Sequence, residues 1–472
     1  MKKNLPLITL LILFTTPLLH AQSFTDLQNG FPSLTGASSA WADYDGDEDL
    51  DFALIGFSSV TAEIGSIYRN DGSGVFTLIK NLEFPVSSGA VSWGDFDHDG
   101  DPDLLVNGQG GNFSPAAVTT LYRNDGNDVF TVVASGLPGV IGISRWIDYD
   151  RDGWLDVIMG GIGISFLEDS IRLFHNDTTG VFTEVQINLP GYYSSDIAVA
   201  DFDLDGDMDF FFTGGTLSPS TFPVTQLYRN DGNAQFAEVP FPFMDLSTGT
   251  AAWADYDHDG DPDLLYDGLD STILVAKTLL YRNDSLGLFA LIDANLPGSG
   301  EPGSVDWADM DNDGDLDILI GGPTTLLRND GNNVYTDITP VDFQQGVPCS
   351  FADVDSDGDQ DVLIIAASGG DSGSSIHRNE MITAVPDIQE ASPSFVFPNP
   401  VSDQLTISFN KKISGNISFH IMNSLGQDVF NQEIKNAEAE QVVNVSSLSP
   451  ALYFYTISKD DVIIQAGKLM VN

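Results

Sequence analysis

A nine-residue aspartate ladder recurs seven times along the chain. The second copy reads D-F-D-H-D-G-D-P-D and sets Asp95, Asp97, Asp99, Asp101 and Asp103 on alternate residues, followed by the apolar run Leu104-Leu105-Val106. Carboxylates are hard oxygen donors, and several of them in one tight loop make the donor set that Ca²⁺ prefers. Positions 1, 3, 5 and 9 supply side chains, position 7 adds a backbone carbonyl, and Gly at position 6 permits the sharp turn. A metal-free acidic turn is the weaker reading, because five carboxylates within nine residues repel one another without a cation. Mg²⁺ is disfavoured by its resistance to an all-protein cage. The loops are not EF-hands, since no Glu follows at position 12 and β-rich runs flank them.

The expected ligands of the first loop are Asp43, Asp45, Asp47, Asp49 and Asp51, although Glu48 stands where Gly belongs and Gly46 lies two positions earlier. The second loop offers the five aspartates already quoted. In the third they are Asp148, Asp150, Asp152, Trp154 through its carbonyl, and Asp156, with Arg151 also inside the loop. The fourth has Asp201, Asp203, Asp205, Asp207 and Asp209, and the fifth Asp255, Asp257, Asp259, Asp261 and Asp263. Asp309, Asp311, Asp313, Asp315 and Asp317 form the sixth, and Asp353, Asp355, Asp357, Asp359 and Asp361 the seventh. Up to seven calcium ions are expected.

Successive first aspartates are 52, 53, 53, 54, 54 and 44 residues apart, a period typical of propeller blades. Each unit repeats one inner order. A short strand carries an aromatic two residues before the loop: Trp41, Trp93, Trp146, Trp253, Trp307 or Phe351, with Val199 the exception. After the loop come an apolar strand, a variable stretch, a third strand closing on L-Y-R-N-D-G, and a fourth opening with V-F-T. Asn-Asp-Gly between β-rich runs is a hairpin signal. Four short strands per unit predict an all-β, seven-bladed β-propeller over residues 22–380. The seventh unit stops at Ile376–Glu380 without a V-F-T strand, and Ser23–Leu27 (S-F-T-D-L) matches the missing piece, so the N-terminal strand is expected to complete the last blade. Residues 381–394 read as a linker. Residues 395–472 lack the ladder and alternate apolar with polar, which predicts a small C-terminal β-sandwich.

Composition agrees. There are 69 acidic against 18 basic residues, a net charge of −51, which argues against nucleic acid or an anionic membrane as partner. Disorder is the ordinary reading of so acidic a chain, but 42% of residues are apolar and fall in regularly spaced runs. Cys349 stands alone, so metal rather than disulfide is expected to staple the fold. Lys2, Lys3 and an apolar stretch from Leu5 to Leu19 read as a secretory signal peptide, residues 1–21. No other segment is apolar for long enough to span a bilayer, and a monomer is expected.

The repeats followed by an apolar strand and Gly resemble FG-GAP/VCBS repeats, the family that includes the integrin α-subunit propeller. That resemblance implies Ca²⁺ between strands one and two and a binding or adhesive role. Phe397–Ile407 (F-P-N-P-V-S-D-Q-L-T-I), Asn423–Val429 and Ser447–Tyr455 are similar, in order, to the type A sorting domain of type IX secretion substrates, with Ala451 where that family more often has Gly. It implies passage through the outer membrane under the type IX machinery.

The reading is a secreted or cell-surface binding module for a glycan or protein ligand. Its rivals are a polysaccharide lyase-like enzyme on the same scaffold, with Tyr192, Tyr193 and Lys277 as the available candidates, and a structural matrix component. Catalysis finds little else to hold. His20 lies in the leader, His98 and His258 in Asp loops, His175 and His377 near the Arg-Asn-Asp motif, and His420 in the last domain. The repeated Trp is expected to pack between blades rather than stack on sugar. Arg69, Arg123, Arg229, Arg282, Arg328 and Arg378 are expected to pair with loop carboxylates. Cys349 reads as a small buried apolar residue. Length variation concentrates at the second-to-third connections, longest at Gln109–Thr120, Ile162–Ser170, Thr216–Gln226 and Leu269–Lys277; the sixth blade keeps only Pro323-Thr324-Thr325 there.

Overall fold

The structure is a computed structural model that describes residues 23–111, 116–163, 169–187, 189, 193–215, 223–284, 287–299, 303–367 and 373–380. In the C-terminal region it describes 394–397, 401, 404–409, 416–422, 428–435, 440–446, 448, 451–459 and 462–471. The expected leader lies outside the described residues, and of the expected linker only Ser394 is described. The chain divides into two compact units, Met1–Thr383 and Ala384–Asn472.

The first unit contains seven four-stranded antiparallel sheets, and no helix occurs among the described residues. Blade two runs Val86–Gly94, Asp103–Gly110, Ala116–Asn124 and Phe130–Val133. Its register places Trp93 opposite Leu104, Leu104 opposite Tyr122, and Tyr122 opposite Val132. Other blades repeat the order from Thr35, Val140, Tyr193, Ala251 and Val305. The second strand of a blade is buried on both faces, which is why it reads as a continuous apolar run and not as an alternation. Leu104 and Val106 pack with Tyr44, Ala53 and Ile55 of blade one, whereas Leu105 packs with Val157 and Met159 of blade three.

The seventh sheet is completed from the N-terminus, as expected. Phe24–Asp26 pairs antiparallel with Ser375–Asn379, Phe24 opposite Asn379, beside Asp361–Ala366 and Gly346–Ala352. Blade one also lies against blade seven. Trp41 Nε1–H donates to Ser350 Oγ at 2.9 Å, and Phe52 and Leu54 share a core cluster with Leu363 and Ile365.

The half-buried tryptophans do pack between blades. The indole N–H of Trp93, Trp146, Trp253 and Trp307 donates to the carbonyls of Ala40, Ser92, Ala198 and Ala252 in the preceding blade, at 3.0, 3.4, 3.1 and 3.3 Å. Val199 cannot form this strap. At that joint Arg145 of blade three instead reaches the buried Asp196 of blade four at 2.8 Å.

Much of the expected variable rim is strand. Gln109, Gly110 and Ala116–Thr120 all belong to blade two's sheet, so the turn there is shorter than the sequence suggests. The sixth blade is the short one: its second and third strands have 4 and 5 residues, against 8 and 9 in blade two.

In the second unit Ser394–Phe397, Gln404–Phe409 and Glu440–Asn444 form one sheet. Asp428–Lys435, Asn416–Met422, Ala451–Lys459 and Val462–Val471 form the other. Leu405, Ile407 and Val443 of the first share a core with Ile417, Phe419, Ile421 and Ile457 of the second, which is the expected sandwich.

Candidate metal centre

Each ladder joins the first strand of its blade to the second. In blade two one carboxylate oxygen from each of Asp95, Asp97 and Asp99 lies within 4.8 Å of the others. Positions 1, 3 and 9 converge equally closely in Asp43-Asp45-Asp51, Asp148-Asp150-Asp156 and Asp201-Asp203-Asp209. Every loop has the same internal scaffold. The position-6 N–H donates to the first aspartate, as Gly100 does to Asp95 at 3.1 Å and Gly358 to Asp353 at 3.0 Å. The position-7 N–H donates to the fifth, as Asp101 does to Asp99 at 3.1 Å and Trp154 to Asp152 at 2.9 Å.

The ninth aspartate differs from the rest because it begins the buried second strand. Asp103 is fully buried; its Oδ2 accepts from Phe96 N–H at 3.0 Å and its Oδ1 from Asn124 N–H at 2.8 Å. Burial pushes its carboxyl up to about 7 against these two bonds, and Asp51, Asp156, Asp209, Asp263 and Asp361 are pushed up to about 7 for the same reason. The third aspartates Asp97, Asp203 and Asp257 are raised by burial first and by neighbouring loop carboxylates next.

The donor set fits calcium on one further observation. Oδ1 of Asp95, Asp148 and Asp255 at position 1, and Oδ1 of Asp97, Asp203, Asp311 and Asp355 at position 3, are buried without a hydrogen-bond partner. Buried oxygens of this kind are costly unless a cation faces them. In the seventh loop both oxygens of the buried Asp359 are likewise unpartnered.

One expectation is revised. The repeated arginines pair first with the turn aspartate two residues on: Arg123 with Asp125 and Arg229 with Asp231, at 2.7 and 2.6 Å. Only as a second partner does a loop carboxylate come near, Asp257 at 3.8 Å from Arg282 and Asp355 at 3.6 Å from Arg378. The turn aspartate sits on the same hairpin as its arginine, so its geometry is fixed locally. In blade three His175 replaces the arginine and its Nδ1 lies 3.2 Å from Asp156.

Sequence reading missed the asparagine of Arg-Asn-Asp. Its side-chain N–H₂ reaches back to the position-2 carbonyl of the preceding loop: Asn124 to Tyr44, Asn230 to Tyr149 and Asn379 to Met310, at 2.8, 2.8 and 2.9 Å. The only signal in the sequence is its recurrence beside the Asn-Asp-Gly turn, a recurrence the turn alone accounts for. The turn and the loop do share one end of the blade. A Cβ on Gly126 would come within 3.7 Å of Asp101, and one on Gly331 within 3.5 Å of Asp315.

Of the lyase candidates, Tyr193 begins the first strand of blade four and Lys277 lies on the third strand of blade five. Tyr192 lies outside the described residues, and Lys277 is ion-paired with Asp270 of its own blade at 2.8 Å. Cys349 is buried and its thiol is pushed up to about 12 by burial, as suits a packing residue.

Residues 43–106, 148–212 and 276–320 match the FG-GAP-like repeat, and residues 395–472 match the secretion system C-terminal sorting domain. No curated protein matches the chain. Among solved structures, the V. cholerae biofilm matrix protein Bap1 is similar at 12% identity and a TM-score of 0.34, over 93% of this chain and 66% of that one. The extracellular domain of a putative one component system from B. thetaiotaomicron is similar at 12% and 0.27, over 92% and 69%. Drosophila Semaphorin 2a is similar at 8% and 0.29, over 95% and 97%. The sorting domain marks the chain for type IX export to the cell surface or the medium, and no helix among the described residues is long and apolar enough to cross a membrane. The chain carries FG-GAP-like repeats within a unit of seven four-stranded antiparallel sheets, and a secretion system C-terminal sorting domain of the type IX kind over residues 395–472.

Proposed function

We propose that the propeller is a calcium-loaded binding module, with Ca²⁺ in the Asp loops fixing one end of every blade and the opposite rim recognising an extracellular glycan or protein. The observation that carries the calcium reading is the recurrence, blade after blade, of buried carboxylate oxygens with no partner in the protein. Cations at positions 1, 3, 5 and 9 would satisfy those oxygens and cancel up to 14 of the 51 negative charges. Extracellular modules bind Ca²⁺ with dissociation constants of about 10⁻⁴–10⁻³ M, so millimolar calcium stabilises each blade by about 1 kcal/mol. Chelation with EGTA is expected to lower the melting temperature sharply. Ca²⁺ should restore it, and Mg²⁺ should restore it poorly. An unchanged melting curve after thorough chelation would sink the metal reading.

Recognition is assigned to the other end because that is where the blades differ. Variable loops on a rigid scaffold are the usual place for binding residues. Blade five exposes Ile273, Leu274 and Val275 at its turn, whereas blade six is cut short. The binding reading is preferred over a lyase because Lys277, the candidate base whose side chain is described, is already ion-paired. Ligands are to be found on a glycan array probed with and without Ca²⁺. Grafting the short blade-six connection into blades two and four should then abolish binding and leave calcium-dependent melting intact. Survival of binding in that graft would move the site elsewhere.

A further inference from the structure

In five of the seven Asp loops the fourth residue reaches the next loop. Six of the seven fourth residues are non-glycine residues held in the left-handed region, at φ between 54° and 60°. Arg151 of loop three donates from Nε to Gly206 O of loop four at 2.7 Å, and lies 2.6 Å from Asp207. His258 Nε2 of loop five lies 2.6 Å from Gly314 O of loop six. Asn312 of loop six donates to Gly358 O of loop seven at 2.9 Å. Ser356 of loop seven donates to Asp49 of loop one at 3.2 Å and reaches Glu48 O at 3.5 Å. His98 of loop two stacks on Trp154 of loop three, ring centres 4.2 Å apart and 8° from parallel.

These contacts land on one place, the position-6 peptide and its neighbour. The N–H of the same position-6 residue is already held by the first aspartate of its own loop, as Gly314 is by Asp309 at 3.0 Å. Position 7, whose carbonyl is an expected ligand, comes next in the chain. The fourth residue is itself flanked by ligands 3 and 5, so wrapping an ion in one loop sets the side chain that holds the following loop's crown. The asparagine clamps tie the end of a third strand to position 2 of the preceding loop, at the loop's start. The fourth-residue contacts tie the parts of the loops that close on the ion.

The chain of contacts is broken twice. Gly46 of loop one has no side chain, and Leu204 of loop four has no polar atom and is exposed. The links therefore fall into two runs, loops two-three-four and loops five-six-seven-one.

Resting on the calcium reading above, we propose that the fourth residues are positioning residues that couple the sites, so that Ca²⁺ fills the loops as two cooperative groups of three and four. Electrostatics alone predicts the opposite, since each bound ion cancels charge that would attract the next. Steep binding is therefore a specific signature of the contacts. A coupling at the lower end of the usual range changes a neighbour's affinity about five-fold.

The test is calorimetric titration of Ca²⁺ into the metal-stripped chain. The wild type should show a Hill coefficient above one. Asn312→Ala should flatten the isotherm and weaken half-saturation of its group, while Asn312→Ser, which keeps a donor as Ser356 does, should recover the steepness. Leu204→Asn, at an exposed position, should join the two groups and steepen binding further. Full calcium stoichiometry with a Hill coefficient of one, or no change across these variants, would overturn the coupling and leave the calcium reading standing. Absence of any calcium binding by the wild type would overturn both.

Discussion

Glu48 holds the sixth position of its loop at φ 74°, where the six sister loops place glycine at 88° to 99°. A side chain in left-handed backbone costs about 1–2 kcal/mol, part of which glycine gives back as lost chain entropy. Glu48→Gly is thus expected to stabilise the calcium-loaded protein by roughly 0.5–1 kcal/mol, read as a higher melting temperature. A lower one would mean that the glutamate makes a contact worth more than its strain. The substitution was visible in the sequence, because the repeat sets a template against which one residue stands out. What the template hid is that the ninth aspartate is a different residue from the others. Nothing in D-x-D-x-D-G-D-x-D shows that one carboxylate is buried and bonded to two backbone N–H groups, since one donor is an unspecified x of the pattern (Phe96) and the other, Asn124, lies on a later strand.

At the level of strands and sheets, the period and the Trp-loop-Asn-Asp-Gly order were enough to place the blades, and S-F-T-D-L was enough to complete the last one. Joints between blades were legible only in part. Tryptophan advertises an apolar contact, but not the carbonyl it donates to, and the Arg145–Asp196 pair that replaces it at the third joint is made across two repeats. Asp196 is only 3% exposed, so Arg145→Met leaves a buried carboxylate without its cation, at a cost of about 3–5 kcal/mol. Trp253→Phe removes a single hydrogen bond and should cost about 1 kcal/mol. Denaturant midpoints in saturating calcium should rank the two in that order; the reverse ranking would show that the ion pair does not do the strap's work. Loop lengths were overestimated because small, polar strand residues such as Gln109 and Ala116 read as connection.

The molecule as a whole is two units with separate cores, and the second carries the export signal. Removal of residues 395–472 should leave the propeller folded, with unchanged calcium-dependent melting, but held in the periplasm. Fractionation checks this directly, and efficient appearance of the truncated chain in the medium would contradict it.

Pairing of Phe24 with Asn379 ties the beginning of the propeller to its end. A chain built from its N-terminus therefore makes the fourth strand of its last blade at the outset and must keep it unpaired until every other blade exists. The final step is a contact of very high sequence separation, which is slow to form because its closure entropy is met only at the end. Until then an unpaired sheet edge is open to other chains. A mutation that delays any one blade lengthens the exposure of both ends.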